Sequence, residues 1–186
     1  MADTILATME RWLWDESLGH YVAHNVSSSQ PILNRVFLMA LPLWGGAAPA
    51  HHAAQIAVNI LRSDMISEWG LRSTSSADDR YSNANIINPY SNWRGPIWVN
   101  VNAAILYGMV SPDYKAVAPQ LAKQAVAVAR AVTGALAQDL RANGTWHECF
   151  SSETGEGLAA PGFLSWDTLG ASLLPDIKAQ RDPFEL

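Results

Sequence analysis

Apolar residues recur along this chain at spacings of three and four, the period of a helix that buries one face. Ile5, Leu6, Met9, Trp12 and Leu13 mark a first amphipathic stretch, and Val36, Phe37, Ala40 and Leu41 a second. After Gly45-Gly46 and Pro49, a third runs through Ala54, Ile56, Ala57, Ile60 and Leu61. Pro96 is placed to open a fourth, carried by Trp98, Val101, Ile105 and Leu106, and Ser111-Pro112 ends it while capping the next helical turn. The fifth is the clearest: Leu121, Ala125, Val128, Ala129, Val132 and Leu136 follow Pro119. A sixth begins near Ser165 and runs through Leu169, Leu173 and Leu174 until Pro175 or shortly after. Nothing reads as a long alternating strand. The pattern predicts an all-α fold of about six main helices in antiparallel αα-hairpins, in a single domain over residues 1–186.

The connections alternate in length. They are short at 44–48 and 109–112 and long at 14–30, 63–95 and 142–164. Long loops inside a compact domain usually carry function, and these three fall on the same end of successive helix pairs. That end is where a site is expected.

Composition narrows the function. The chain has 186 residues, 49% hydrophobic, with a formal charge of -5, as in a soluble, mildly acidic protein. Scattered Lys and Arg argue against nucleic acid, whose phosphates require a concentrated basic surface. No stretch approaches the roughly 18 apolar residues of a membrane helix, and Met-Ala-Asp-Thr does not open a secretion signal. With one cysteine, Cys149, no internal disulfide is possible. The expectation is a cytoplasmic protein without a cofactor.

Eight tryptophans are more than packing alone leads one to expect in a chain this size. Trp69, Trp93, Trp146 and Trp166 lie beside Gly, Ser or Pro, in loops or helix starts where a flat amphipathic ring can meet a sugar. Two segments stand out. The first, Asn88-Pro-Tyr90-Ser-Asn-Trp93-Arg94-Gly95-Pro96-Ile-Trp98-Val-Asn100-Val-Asn102, reads as a loop feeding a helix N-terminus. In it Arg94 presents a planar fork of donors beside two indoles, or else clamps a neighbouring Asp. Of Asn100 and Asn102, at most one points into a cleft. The second runs from Trp146-His147-Glu148-Cys149-Phe150 through Glu153 and Glu156 to Phe163-Leu-Ser-Trp166. Glu148 stands among aromatic neighbours that desolvate and position a carboxylate, whereas Glu153 and Glu156 read as turn residues. His51-His52 has no further metal ligand at the right spacing, so a surface or packing role is expected there, and Cys149 reads as a buried inert thiol.

Together these two segments resemble glycoside hydrolase family 63, which holds processing α-glucosidase I and the mannosylglycerate hydrolases. The convincing part of the match runs from about Trp69 to Trp166. The resemblance implies the C-terminal half of an (α/α)6 toroid, with Glu148 as the general base that activates water. It places Trp93, Arg94, Gly95 and Trp98 at the sugar-binding wall, with Trp69, Tyr90, Phe163 and Trp166 nearby. The implied ligand is an α-glucoside or α-mannoside.

Inverting hydrolysis needs two carboxyl groups, about 6.5–9.5 Å apart, one as acid and one as base. In that family the acid lies in the earlier half of the barrel, ahead of anything that aligns here. Asp78 and Asp79 are the in-chain candidates, but an Asp-Asp-Arg run in a polar loop reads as a solvated turn or salt bridge. An open half-ring would also expose apolar edges, so a homo-oligomer or a complementary N-terminal half is expected. The rival readings are a carbohydrate-binding or assembly module and a truncated, non-catalytic remnant.

Overall fold

The computed structural model describes residues 2–87 and 91–181. Its helices are α1 (Ala2–Leu13), α2 (Ala50–Ile60), α3 (Val99–Met109), α4 (Pro112–Lys115), α5 (Gln120–Asn143) and α6 (Leu169–Ala179), with 3-10 stretches at Phe37–Gly46 and Trp166–Thr168. Four two-stranded antiparallel hairpins punctuate them among the described residues: β1 (Trp14–Asp15) with β2 (His20–Tyr21), β3 (Ala23–His24) with β4 (Pro31–Ile32), β5 (Ile66–Ser67) with β6 (Gly70–Leu71), and β7 (His147–Phe150) with β8 (Gly157–Pro161). About half of the described residues are thus helical, and the long loops carry short strands.

Helix α5 forms as its spacing predicts: Leu121, Ala125, Val128, Ala129, Val132 and Leu136 are all buried. It packs on α3 and α6, and α3 also lies along the first 3-10 stretch. Caught between these neighbours, α3 buries residues on every side, including Val99, Asn102, Ile105, Leu106 and Met109. Ser111 caps α4 through its side chain, as expected.

Three expected helices differ. The second is a 3-10 stretch with non-helical backbone at Trp44 and Gly45, because Pro42 lies inside it and cannot donate to the preceding turn. The fourth starts at Val99 rather than Pro96. Pro96 and Ile97 stay extended because they are sewn between two loops: Ser73 N donates to Pro96 O at 3.2 Å, and Ile97 and Phe150 exchange both backbone bonds at 2.7 and 3.0 Å. The sixth passes through Pro175 to Ala179. Leu173 and Ile177, either side of that proline, are fully buried, so packing outweighs the lost N–H bond.

Helix α1 is amphipathic but buries none of its residues. Around it and the first 3-10 stretch, Ile5, Trp12, Ile32, Leu33 and Leu38 are exposed, an apolar surface of the kind that recruits partners.

Candidate active site

The loop between β6 and α3 and the β7–β8 hairpin are laced together. Tyr81 Oη bonds Ser152 Oγ at 2.7 Å, Asn83 Oδ1 accepts from Ser152 N at 3.0 Å, and Asn85 Oδ1 accepts from Ala159 N at 2.8 Å. Within the loop, Asn92 donates to Ser82 O and Ala84 O and accepts from Arg94 N. Gly95 N donates to Ser73 Oγ at 2.9 Å, and a Cβ at Gly95 would lie 2.7 Å from Ser82 O. Gly95 therefore serves close backbone approach and is buried.

This scaffold builds a row of aromatic rings. Trp93, 42% exposed, stacks on Trp98 with centroids 3.7 Å apart and planes 6° from parallel. Trp98 is 1% exposed and donates its indole N–H to Asn92 O at 3.1 Å. The open face belongs to Trp93, and Trp98 is the rigid layer behind it. Phe37 flanks Trp93, Trp166 lies 5.8 Å from Trp98, and Phe163 lies 4.5 Å from Trp166.

Glu148 sits on β7, half-buried, where the pairing with β8 is irregular between His147 and Cys149. Opposite it, Ala159 has a left-handed backbone, φ +65°, which costs energy for a residue other than glycine and re-aims the strand. Ser91 Oγ donates to Glu148 Oε1 at 2.8 Å, and Trp166 Nε1 donates to Glu148 O at 3.1 Å. The two predicted segments thus meet at this carboxylate: Ser91 is two residues from Trp93, and Trp166 continues the aromatic row. The start of β7 is fixed by Asp139 of α5, fully buried, which accepts from His147 N at 2.9 Å and Asn143 Nδ2 at 2.7 Å and meets His147 Nδ1 at 2.9 Å.

The other sequence candidates are dispersed. Trp69 is half-buried against Gly155 of the β7–β8 turn, where an added Cβ would lie 2.4 Å from its ring. Arg94 is exposed and, among the described residues, has no ion-pair partner. With Arg80 it borders a cavity of about 640 Å³ whose walls include Leu13, Tyr21, Val36 and Met39. A second hollow of about 410 Å³ is lined by Trp93, Phe37 and Val36. Asn102 is buried and binds Leu71 N, Leu71 O and Trp98 O, so its role is to fasten α3 to β6. Tyr90 lies outside the described residues. His52 stacks on Trp14 at 3.5 Å, a packing role. Among the described residues no group of His, Cys, Asp and Glu could hold a metal ion.

Asp78 is bound by Arg80 through its side chain and backbone and by Asn34, and the Arg80 guanidinium first, then its N–H, hold the Asp78 carboxyl well below the usual range. Asp79 is 96% exposed. Burial pushes the Cys149 thiol up to about 12, with the Glu148 and Asp167 charges adding to it.

Sequence reasoning missed Asp167. It directly follows Trp166, is fully buried, and neither carboxyl oxygen has a hydrogen-bond partner. Burial, then the charges of Asp139 and Glu148, raise its carboxyl to about 8. In the sequence, an aspartate in the first turn of a helix reads as an ordinary partner of the helix dipole, which hides it.

Several known proteins are similar to this chain over most of its length. Mannosylglycerate hydrolase from Thermus thermophilus is 26% identical over 154 residues, covering 83% of this chain and 32% of that protein. A probable mannosyl-oligosaccharide glucosidase from Schizosaccharomyces pombe is 24% identical, over 94% of this chain and 22% of its own length. The chain thus spans a third or less of these relatives. The crystal structure of the Thermus thermophilus family 63 mannosylglycerate hydrolase with glucose superposes with a TM-score of 0.65 at 27% identity, over 91% of this chain and 37% of that one. Neutral trehalase from Saccharomyces cerevisiae shares the fold, with a TM-score of 0.66 at 17% identity, over 96% of this chain and 31% of that one. The mannosylglycerate hydrolase MGH1-like glycoside hydrolase domain matches residues 1–166, and the chain belongs to that family.

Proposed function

We propose that this member of the mannosylglycerate hydrolase-like glycoside hydrolases supplies the base side of an inverting α-glycosidase site. Glu148 takes a proton from the attacking water, and its aim is set by Ser91, Trp166 and the strand irregularity opposite it. The exposed face of Trp93 stacks on the sugar, backed by Trp98, while Arg94 donates to hydroxyls or to an anionic aglycone. Trp166 and Phe163 extend this wall. The observation that carries the reading is the hydrogen bond of Ser91, two residues before the half-exposed Trp93, to the Glu148 carboxylate, with Trp166 holding the Glu148 carbonyl. The ligand is an α-mannoside or α-glucoside, as the names of the relatives suggest.

The proton for the leaving group comes from outside this chain. Asp78 is held ionised by Arg80, and Asp79 stands in solvent, so neither is built to donate. The same shortage is the reason to propose that these helices are one part of an (α/α)6 toroid, whose remaining helices cover the bare face of α1 and its neighbours. Those helices come from another segment, another chain or a second copy. The setting is cytoplasmic, where a free, buried Cys149 remains reduced.

The test is a panel of α-mannosides and α-glucosides with good leaving groups, with the product followed by proton NMR. An inverting site releases the β-anomer first; initial release of the α-anomer overturns the mechanism. Binding without turnover across the panel, weakened in Trp93→Ala, favours the carbohydrate-binding reading.

A further inference from the structure

Asp167 is a buried ionisable group that water activation by Glu148 does not use. It has 0% exposure and no partner for either carboxyl oxygen. A carboxylate in that position is an uncompensated charge in a low-dielectric interior, which proteins avoid by neutralising the group. Among the described residues, the charges that act on it are those of Asp139 and Glu148. From α5 it faces Asp139, already occupied by His147 and Asn143. From β7 it feels Glu148 and Cys149. Helix α3 carries no charged residue, only the titratable Tyr107, and on α6 the charged residues are Asp176, paired with Arg181, and Lys178. Asp167 is also fastened to the base mechanically, because the residue before it, Trp166, donates its indole N–H to Glu148 O.

We propose that Asp167 is a positioning residue acting through Glu148: a neutral carboxylic acid that keeps the proton of the pair, so that the negative charge rests on Glu148 alone. Asp167 is the fully buried member with no partner for either oxygen, so ionising it would leave an uncompensated charge beside a second carboxyl group, and the proton stays on it. Asp167 thereby spares Glu148 the repulsion of a second anion behind the strand while the turn it occupies fixes the peptide that carries the base. This inference rests on Glu148 being the base, but its test does not need turnover.

The test follows side-chain carboxyl carbons by NMR in the full chain labelled at aspartate and glutamate, from pH 4 to 10. The expected result is an Asp167 midpoint far above ordinary carboxylates, falling by about one pH unit in Glu148→Gln, the scale of one nearby charge. In the unmutated chain the Glu148 signal should show a second inflection at the Asp167 midpoint, and Asp167→Asn should abolish it. If Asp167→Asn does not fold, the Glu148→Gln comparison decides. An Asp167 midpoint unchanged by Glu148→Gln, or one in the ordinary range in both proteins, overturns the proposal. A merely structural aspartate leaves the Glu148 signal without the second inflection. Failure of the base assignment shows up separately, as hydrolysis that survives Glu148→Gln.

Discussion

At the scale of residues, three side chains divide the work by how much water each meets. Trp93 keeps an open face because Trp98 fills the space behind it, so Trp93→Ala should weaken sugar binding by about 1 kcal/mol, the worth of one aromatic stack, with little change in thermal stability; a fluorescence titration checks it. Asp167 is the opposite case. Its folded pKa, about 8, lies above the unfolded value of 3.8, so the folded state binds the extra proton. The stability this gives is complete below about pH 4 and is lost as pH rises toward 8. Asp167→Asn, which stays neutral, should flatten that part of the melting curve against pH and be the more stable protein at pH 8–9, by a few kcal/mol; parallel declines in both proteins would contradict it. The two segments that carry Glu148 and Trp93 were legible as motifs, and the fold joins them through Ser91. Asp167 was not, since its burial and its lack of partners arise only when α5, β7 and the turn before α6 converge.

At the scale of elements, regular periodicity was readable and the strands were not. Helix α5 obeys its apolar spacing throughout. The β7–β8 hairpin that carries Glu148 consists of short segments with no alternation to read, stabilised by distant partners such as Asn85 and Ile97. Pro96 shows the same limit: its preference for a helix start yields to the ladder that joins residues 73, 97 and 150. The hairpin's turn is correspondingly sensitive. Gly155 has φ +73° and presses against the Trp69 ring, so Gly155→Ala should cost about 1–3 kcal/mol. Denaturant unfolding reports the loss, and an unchanged midpoint would mean the ring has room to move.

At the scale of the whole molecule, the chain is a helical core with one finished face and one bare one. The finished face is the end where the long loops converge around Glu148. The other is α1 with exposed Ile5 and Trp12, and Leu33 and Leu38 around it. An apolar surface of this kind predicts association: sedimentation at micromolar concentration should show a species larger than a monomer, and Trp12→Glu should shift the population toward monomer. The overall helical class was visible in the sequence. The bare face followed from counting helices, and its composition became clear only in three dimensions. The claim that joins these scales is that Glu148 activates water in a site lacking its own proton donor. Glycosyl fluorides isolate that step, because fluoride leaves without being protonated. The decisive measurement is therefore fluoride release from α-mannosyl and α-glucosyl fluoride by the chain and by Glu148→Gln. A base at Glu148 predicts release by the chain that falls by about 10²-fold or more in the variant, with no turnover of alkyl glycosides by either. Equal rates in the two proteins, or no release by either, would contradict it.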